Sequence, residues 1–246
     1  QDKTALLSSA ANDAFNTQTN DLLLAALANT VSSQYGAGAL SVTLEGHGRE
    51  QFTREGAEAD IDLSRTVGWF TTLYPVHMNF TGFNHGADDW QKLIINTKEH
   101  LRNVPLKGLG YGVLKYINKA FETPLHQRVP EMAFNYLGEI DGGFAQQNGF
   151  AMVDKAFSLD VSADRVQDHK LSFEVFVKAG RLTVLLHYRD SVFNNVQAND
   201  LLGVYRSQLL GMIDFCTTVD EAVVTPADLT IGDMTMDDLE GLFDDV

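Results

Sequence analysis

The sequence predicts an α/β fold in which helices pack on a mixed β-sheet, because segments with helical and with strand periodicity are interspersed along the chain. The clearest strand signal is a hairpin. Apolar and polar residues alternate over 171–177 and again over 182–188, and Ala179-Gly180 supplies the turn between them. The clearest helix signal lies at 195–217, where apolar residues recur every three or four positions.

The first part of the chain predicts two helices and a strand. One helix is expected over residues 3–15. A second begins after Asn16 and Thr17, whose side chains suit a helix N-terminus, and it ends before Gly36. The alternating pattern over 41–50 predicts a strand.

The middle of the chain predicts two more strands and two more helices. The aromatic and β-branched segment 69–80 is expected to be a strand, and Pro75 favours a sheet edge or a bend. A helix is expected to begin at Asp88, and a short helix follows over 111–121. Residues 131–137 predict another strand.

The chain is acidic. Its 246 residues include 18 Lys and Arg against 33 Asp and Glu, which gives a net charge of −15. Nucleic acid is therefore not an expected partner, because attraction to phosphates dominates such binding. We expect residues 1–225 to form one lobe and residues 226–246 an acidic C-terminal helix or linker. That segment is either a solvated face or a docking element. It has no Lys or Arg, and its acidic residues are Asp228, Asp233, Asp237, Asp238, Glu240, Asp244 and Asp245.

The single cysteine and the apolar runs indicate the compartment. Cys216 can form no intrachain disulfide, so a reducing, cytoplasmic location is expected, and its apolar neighbours predict a packed thiol. The longest strongly apolar run, 22–28, is far shorter than the roughly 20 residues of a membrane span, so no membrane partner is expected. The chain opens at Gln1 without Met, which suggests a piece of a longer protein.

The most unusual segment runs from Glu45 to Arg49. If the strand continues through it, Glu45, His47 and Arg49 share one face. Gly46 and Gly48 leave the other face bare, which favours close approach of a ligand or another backbone. Three ionisable groups on one face form a candidate proton-transfer site. The alternative is a solvent-exposed edge whose charges pair with one another.

Further glycine-aromatic clusters occur at 65–71 and at 105–112. The second is a glycine turn leading into a helix, but it lacks the spacing of a nucleotide-binding loop. Asn135 and Tyr136 place two hydrogen-bonding side chains inside an apolar strand, where a satisfied core tyrosine is the alternative interpretation. The histidines show no supported metal-ligand spacing, and no serine lies in a nucleophile elbow.

Taken in order, these motifs resemble the epimerization domains of nonribosomal peptide synthetases, and the resemblance spans nearly the whole chain. A condensation domain is similar in fold but usually differs at the motifs Glu45 to Glu50 and Phe134 to Gly138. The motifs are Asn12 to Leu24, Glu45 to Glu50 (Glu-Gly-His-Gly-Arg-Glu), Thr66 to Thr71 with Tyr74-Pro75, Gly108 to Gly112 (Gly-Leu-Gly-Tyr-Gly), and Phe134 to Gly138 (Phe-Asn-Tyr-Leu-Gly).

The resemblance implies a chloramphenicol-acetyltransferase-like architecture of two α/β lobes with a tunnel between them. It implies inversion, from L to D, of the Cα of an aminoacyl or peptidyl thioester carried on the phosphopantetheine arm of a peptidyl carrier protein, with no cofactor of its own. It implies Glu45 as an acid/base, with Asn135, Tyr136 and Arg49 at the active site. Arg49 would hold Glu45 ionised or orient it. Implied motif or channel residues are His47, Gly46, Gly48, Trp69, Gly110 and Tyr111.

The family also carries a His-His-x-x-x-Asp motif in its first lobe, and this chain has no His-His pair. We therefore expect the C-terminal lobe of such a domain, inactive alone, with the N-terminal lobe as a partner and possibly a downstream synthetase module. Residues 139–168 are the expected crossover arm, disordered or paired with another copy when the first lobe is absent. Two alternatives remain. One is a non-catalytic lobe that docks a carrier protein or a module, and the other is a condensation domain that forms amide bonds.

Overall fold

A five-stranded mixed β-sheet organises the chain. The computed structural model describes residues 3–50, 62–83, 86, 89–119, 129–140, 168–229, 236 and 238. Within these, the sheet has the strand order β2-β1-β3-β4-β5. The central strands β1, β3 and β4 run parallel, and each edge strand is antiparallel to its neighbour. The strands are β1 (Ala39–Gly46), β2 (Thr72–Asn79), β3 (Met132–Glu139), β4 (Leu171–Lys178) and β5 (Arg181–Tyr188).

The described helices are α1 (Lys3–Leu7), α2 (Ala10–Asp13), α3 (Thr19–Tyr35), α4 (Trp90–Arg102) and α5 (Asn195–Cys216). A short turn of 3₁₀ helix lies at Pro226–Asp228, and a π-helical turn lies at Val113–Ile117. The turn at Pro105–Gly108 is irregular, because Leu106 and Lys107 have positive φ values of 46° and 47°. The predicted α/β architecture with a mixed sheet is confirmed. In the described part of the chain, no helix is both long and apolar enough to cross a membrane.

The core lies between one face of the sheet and the helices α3 and α5. Phe134 of β3 and Phe173 of β4 are buried there, and Tyr205 of α5 packs edge-on against Phe173 at 5.6 Å between ring centroids. The buried Tyr205 hydroxyl donates to the Leu23 carbonyl at 3.2 Å, so it keeps a hydrogen-bond partner. Cys216 is buried in the same core, and burial raises the pKa of its thiol to about 12, which confirms the predicted packed thiol.

The hairpin and the helix that follows it form as predicted. Ala179 and Gly180 have φ values of 48° and 70°, the positive pair that a two-residue type I′ turn requires. The helix α5 begins at a cap in which the Asn194 side chain accepts the Gln197 backbone N–H at 3.0 Å. Pro75 lies in β2, an edge strand, as expected.

The single helix predicted over residues 3–15 is wrong, because the chain breaks between α1 and α2. The Ser9 hydroxyl donates to the Ala5 carbonyl at 2.6 Å, a local bond that competes with helix continuation. The cap of α3 also differs from the expectation. Asn16 and Thr17 precede it, and a capping box between Gln18 and Asp21 begins the helix.

The turn at Pro226–Asp228 packs on the lobe. The buried Lys98 ammonium donates to Asp228 Oδ2 at 2.6 Å and to the Phe15 carbonyl at 2.8 Å. Burial alone would raise the pKa of Asp228, but hydrogen bonds from Lys98, Thr225 and Asn16 together lower it. Asp228 is therefore held on the lobe by an ion pair, whereas a solvated face is one of the two alternatives expected for segment 226–246. Residues 230–246, apart from Met236 and Asp238, and residues 141–167 of the expected crossover arm lie outside the described residues.

Candidate active site

Glu45 and Asn135 meet on the face of the sheet opposite α3 and α5. Leu44 of β1 and Phe134 of β3 are buried and lie opposite each other in the parallel register. Because side chains alternate along a strand, the next residues, Glu45 and Asn135, both point to the other face. The Asn135 Nδ2 group donates a hydrogen bond to Glu45 Oε2 at 2.7 Å. The structure thus brings together two of the predicted site residues from segments 90 positions apart.

A third strand contributes charge to this pair. Glu174 of β4 lies opposite Asn135 in the register of β3 and β4, and its Oε2 atom is 3.5 Å from His187 Nε2 on β5. Although Glu45 reaches the surface, neighbouring atoms remove part of its hydration. That loss raises the pKa of Glu45, and the negative charge of Glu174 raises it further. The pKa of the Glu45 carboxyl group is therefore shifted toward neutral pH.

The chain turns directly after Glu45, so the strand predicted over 41–50 is too long. β1 ends at Gly46, and Gly48 has a φ of +65°. Side chains after Gly46 therefore no longer alternate between the two faces of the sheet. A Cβ atom at Gly48 would lie 1.6 Å from the Phe70 carbonyl oxygen. The predicted close approach is therefore confirmed here, and the approaching group is another backbone.

His47 lies in this turn, and each of its ring nitrogens has a polar neighbour. Its Nδ1 atom accepts the Arg49 backbone N–H at 3.0 Å, so Nε2 carries the proton when the ring is neutral. Nε2 lies 2.9 Å from Glu50 Oε1, and the Lys107 ammonium lies 3.4 Å from the other Glu50 oxygen. These contacts tie the turn to the segment after α4.

Arg49 supports the turn and has other partners than Glu45. Its guanidinium donates to the carbonyls of Leu63 and Thr66, the latter at 2.8 Å, and lies 4.2 Å from the centre of the Phe70 ring. The expectation that Arg49 holds Glu45 ionised is not met in this structure, because the loop at 63–70 takes up the guanidinium. Arg49 therefore orders the loop beside the site.

Tyr136 follows Asn135 and, by alternation, points toward the helix side of the sheet. Partial burial raises the pKa of Tyr136, a hydrogen bond with Thr19 lowers it in part, and Glu139 raises it. Its hydroxyl thus stays protonated at neutral pH and can serve as a hydrogen-bond donor.

A cleft of about 560 Å³ opens at the ends of β1 and β3. In its lining, the Arg102 guanidinium makes a bidentate pair with the buried Asp21, at 3.2 and 2.7 Å, which ties α4 to the start of α3. One wall of the cleft therefore contains an ion pair. Its lining includes Glu45, Gly46, His47, Glu50, Lys107, Asn135 and Tyr136.

The remaining predicted site residues lie outside this cleft. Gly48 and Arg49 lie in the turn behind it, and Trp69 is 92% exposed on the neighbouring loop. Gly110 and Tyr111 line a different cavity, along the edge strand β2. Among the residues that the structure describes, no three His, Cys, Asp or Glu side chains are grouped so that they could hold a metal ion.

Glu174, Lys107 and the Asp21–Arg102 pair were not predicted from the sequence. The alternation in β4 was a signal for Glu174, because it placed that carboxylate on the open face among the strands that carry Glu45 and Asn135. No local pattern pairs Asp21 with Arg102, since the two are 81 positions apart.

Comparisons with known proteins show the family of this chain. The condensation-domain family matches residues 1–231. The chain is 34% identical over 232 residues to bacitracin synthase 3 of Bacillus licheniformis, covering 93% of this chain and 3% of that protein. It is 31% identical over 233 residues to tyrocidine synthase 2 of Brevibacillus parabrevis, covering 94% of this chain and 6% of that protein. The chain thus spans less than a tenth of the length of these relatives.

Two solved structures are similar to this chain, one more strongly than the other. The epimerization domain from the third module of tyrocidine synthetase B superposes with a TM-score of 0.76 at 29% identity, covering 89% of this chain and 47% of that one. The first condensation domain of the CDA synthetase gives 0.53 at 14% identity, covering 90% and 45%, which shows the shared fold alone. The chain therefore spans about half the length of either domain, and it belongs to the condensation-domain family of the nonribosomal peptide synthetases.

Proposed function

We propose that this chain forms one catalytic wall of an epimerization domain, which inverts the Cα of an aminoacyl or peptidyl thioester on a carrier protein's phosphopantetheine arm. The observation that carries the proposal is the Asn135–Glu45 hydrogen bond in the lining of the cleft. A general base is most effective when its pKa lies near the working pH, and the Glu45 pKa is shifted in that direction.

In the proposed reaction, the Glu45 carboxylate takes the proton from Cα. The Cα–H electron pair moves into the thioester carbonyl and forms an enolate, whose oxygen needs a hydrogen-bond donor. The protonated Tyr136 hydroxyl, which lines the same cleft, is the donor we assign. The enolate then takes a proton on its opposite face and the carbonyl reforms, with no net oxidation or reduction. By the family resemblance, the acid on that opposite face belongs to the other lobe.

Condensation is the second candidate function, because both solved domains share this fold. The higher identity and TM-score with the epimerization domain favour inversion. The third candidate, a lobe that only docks partners, does not explain why a carboxyl group of shifted pKa lies in the lining of the cleft.

The deciding experiment measures deuterium at Cα. The protein carrying both lobes is incubated in D₂O with a carrier protein bearing an aminoacyl thioester, with and without an acceptor amine. Epimerization gives Cα deuterium without the amine, and Glu45→Gln abolishes it. The matched control is Glu221→Gln, the same change at an exposed carboxylate. Amide formation that depends on the amine, without Cα exchange, supports condensation. Neither product, with retained carrier binding, supports a docking lobe.

A further inference from the structure

A second cavity lies on the same face of the sheet as Glu45. Its volume is about 630 Å³, and its lining includes Ser41 of β1 and His77 of β2. Ser41 precedes Glu45 by four positions on one strand, and side chains alternate along a strand, so both point away from α3 and α5. At about 3.3 Å per residue, this cavity lies roughly 13 Å from the proposed base.

The polar groups of this cavity come from two neighbouring strands. Ser41 and His77 lie opposite each other in the antiparallel register, and Ser41 Oγ is 2.7 Å from His77 Nδ1. Both side chains are exposed, and Pro75, Val129 and Pro130 add apolar walls. A hydroxyl can both donate and accept, and an imidazole has a second ring nitrogen. The Ser41–His77 pair therefore keeps the capacity to bind the amide groups of a ligand.

The stretch of β1 between this pair and Glu45 carries small side chains. Thr43 lies midway, opposite Pro75 on β2 and opposite Ala133 on β3. None of these three side chains extends far from the sheet. This row therefore stands lower than the rows on either side of it, and it connects the surroundings of Glu45 with the second cavity.

Thr43 also has an unused hydrogen-bonding group. It is 7% exposed, and its Oγ1 atom has no hydrogen-bond partner among the residues that the structure describes. A buried hydroxyl without a partner costs free energy. A chain lying along this face would supply the missing partner. The hydroxyl thus points to a ligand independently of the cavity.

We propose that the second cavity binds the upstream residues of the carried chain, so that the substrate is a peptidyl rather than an aminoacyl thioester. This rests on the proposed function. With Cα at Glu45, an extended peptide along β1 advances about 3.3 Å per residue, so the fourth residue before the thioester reaches Ser41 and His77. Peptide amides bond these two side chains and Thr43, and the apolar walls receive a side chain. An aminoacyl group reaches none of them.

The test compares two substrates in the protein carrying both lobes. One is the carrier-bound aminoacyl thioester that exchanges fastest, and the other is the same residue preceded by four alanines. The pentapeptidyl thioester is expected to give a kcat/KM for Cα exchange at least about tenfold higher, because remote contacts with the substrate contribute to the reaction.

Two substitutions address the cavity directly. Ser41→Phe fills it, and His77→Ala removes its imidazole, and both positions are exposed and outside the core. Each is expected to lower kcat/KM about fivefold with the pentapeptidyl substrate, the effect of a lost hydrogen bond, and to leave the aminoacyl value unchanged. Ser207→Phe, the same change at an exposed position of α5, is the matched control and keeps the wild-type values with both substrates.

The two substrates separate peptide binding from other roles of the cavity. The proposal is overturned if wild type shows equal kcat/KM with both, or if the variants keep the wild-type value with the pentapeptidyl substrate. It is also overturned if the variants lose equally with both substrates, which would make the cavity a contact between lobes.

A binding measurement keeps the peptide proposal separate from the proposed function. If wild type exchanges neither substrate, the proposed function fails. The affinities for a pentapeptidyl and an aminoacyl pantetheine amide, in which an amide replaces the thioester, then decide the peptide proposal. Tighter binding of the pentapeptidyl compound that is lost in Ser41→Phe supports it, and equal affinities overturn it.

Discussion

The Asn135 amide holds the Glu45 carboxylate through one hydrogen bond of 2.7 Å between neighbouring parallel strands. The bond orients a carboxylate that lies at the end of β1, directly before the chain turns. For the proposed base, we therefore assign Asn135 as a positioning residue. Because the amide bonds Glu45 Oε2, we assign the other oxygen, Oε1, to the substrate proton.

Removing that hydrogen bond should misplace the base. Asn135→Ala is expected to reduce the rate of Cα exchange on the order of 100-fold, because small displacements of a catalytic group cost rates of that order. The stability of the protein should change little, since the amide lies at the sheet surface. The check is kcat for deuterium incorporation beside a melting curve. Asn79→Ala, at an exposed position of β2 where Asn79 Oδ1 accepts the Thr81 backbone N–H, should leave the exchange rate unchanged, and a comparable loss of rate there would contradict the role given to Asn135.

Glu174 should set the pH at which the base works. Its negative charge contributes to the raised pKa of Glu45, so Glu174→Gln should lower that pKa. The ionised base then persists to lower pH, and the acidic limb of the rate profile moves toward lower pH. The measurement is the pH dependence of kcat/KM for exchange. Glu131→Gln, an exposed carboxylate at the start of β3, is the control, and an unmoved limb in Glu174→Gln would refute the coupling.

The buried ion pair between Lys98 and Asp228 should dominate the acid sensitivity of the fold. Asp228→Asn leaves the Lys98 charge buried without its counter-ion and is expected to cost about 3 kcal/mol of unfolding free energy. Because the pKa of Asp228 is lowered in the folded state, its contribution is present above the unfolded pKa and is lost as pH falls through the folded pKa. Urea melts at neutral and at acidic pH measure this.

The difference in unfolding free energy between wild type and Asp228→Asn should shrink at the acidic end of that pH series. Asp214→Asn removes the exposed partner of Lys3 and should cost less than about 1 kcal/mol at any pH. Equal losses of unfolding free energy in Asp228→Asn and Asp214→Asn would show that burial of Lys98 carries no special cost.

Gly48 should tolerate no side chain. Its φ of +65° and the Phe70 carbonyl facing it both oppose a Cβ atom, so Gly48→Ala is expected to destabilise the protein by at least about 1–3 kcal/mol. Gly203→Ala, in the interior of α5 with open space around it, should instead stabilise by about 0.5–1 kcal/mol. Thermal melts of the two alanine variants should therefore shift in opposite directions, and a neutral Gly48→Ala would disprove the close approach.

The sequence by itself determined the elements whose cause is local. The hairpin around Ala179 and Gly180 and the helix α5 follow from periodicity and turn chemistry, which act over a few residues. The ordered motifs also indicated the family, and both Glu45 and Asn135 came from them. Boundaries were less accurate where a side chain bonds locally, as Ser9 does between α1 and α2.

Only the tertiary structure decided which charges meet. Glu174 reaches the site because β4 pairs with β3 in one register, and Arg49 turns to the loop at 63–70 because Gly48 ends the alternation of β1. Asp228 pairs with Lys98 across 130 positions. Such contacts depend on strand register and helix packing, which are set by burial of the whole core and leave no periodic trace in the residues that they bring together.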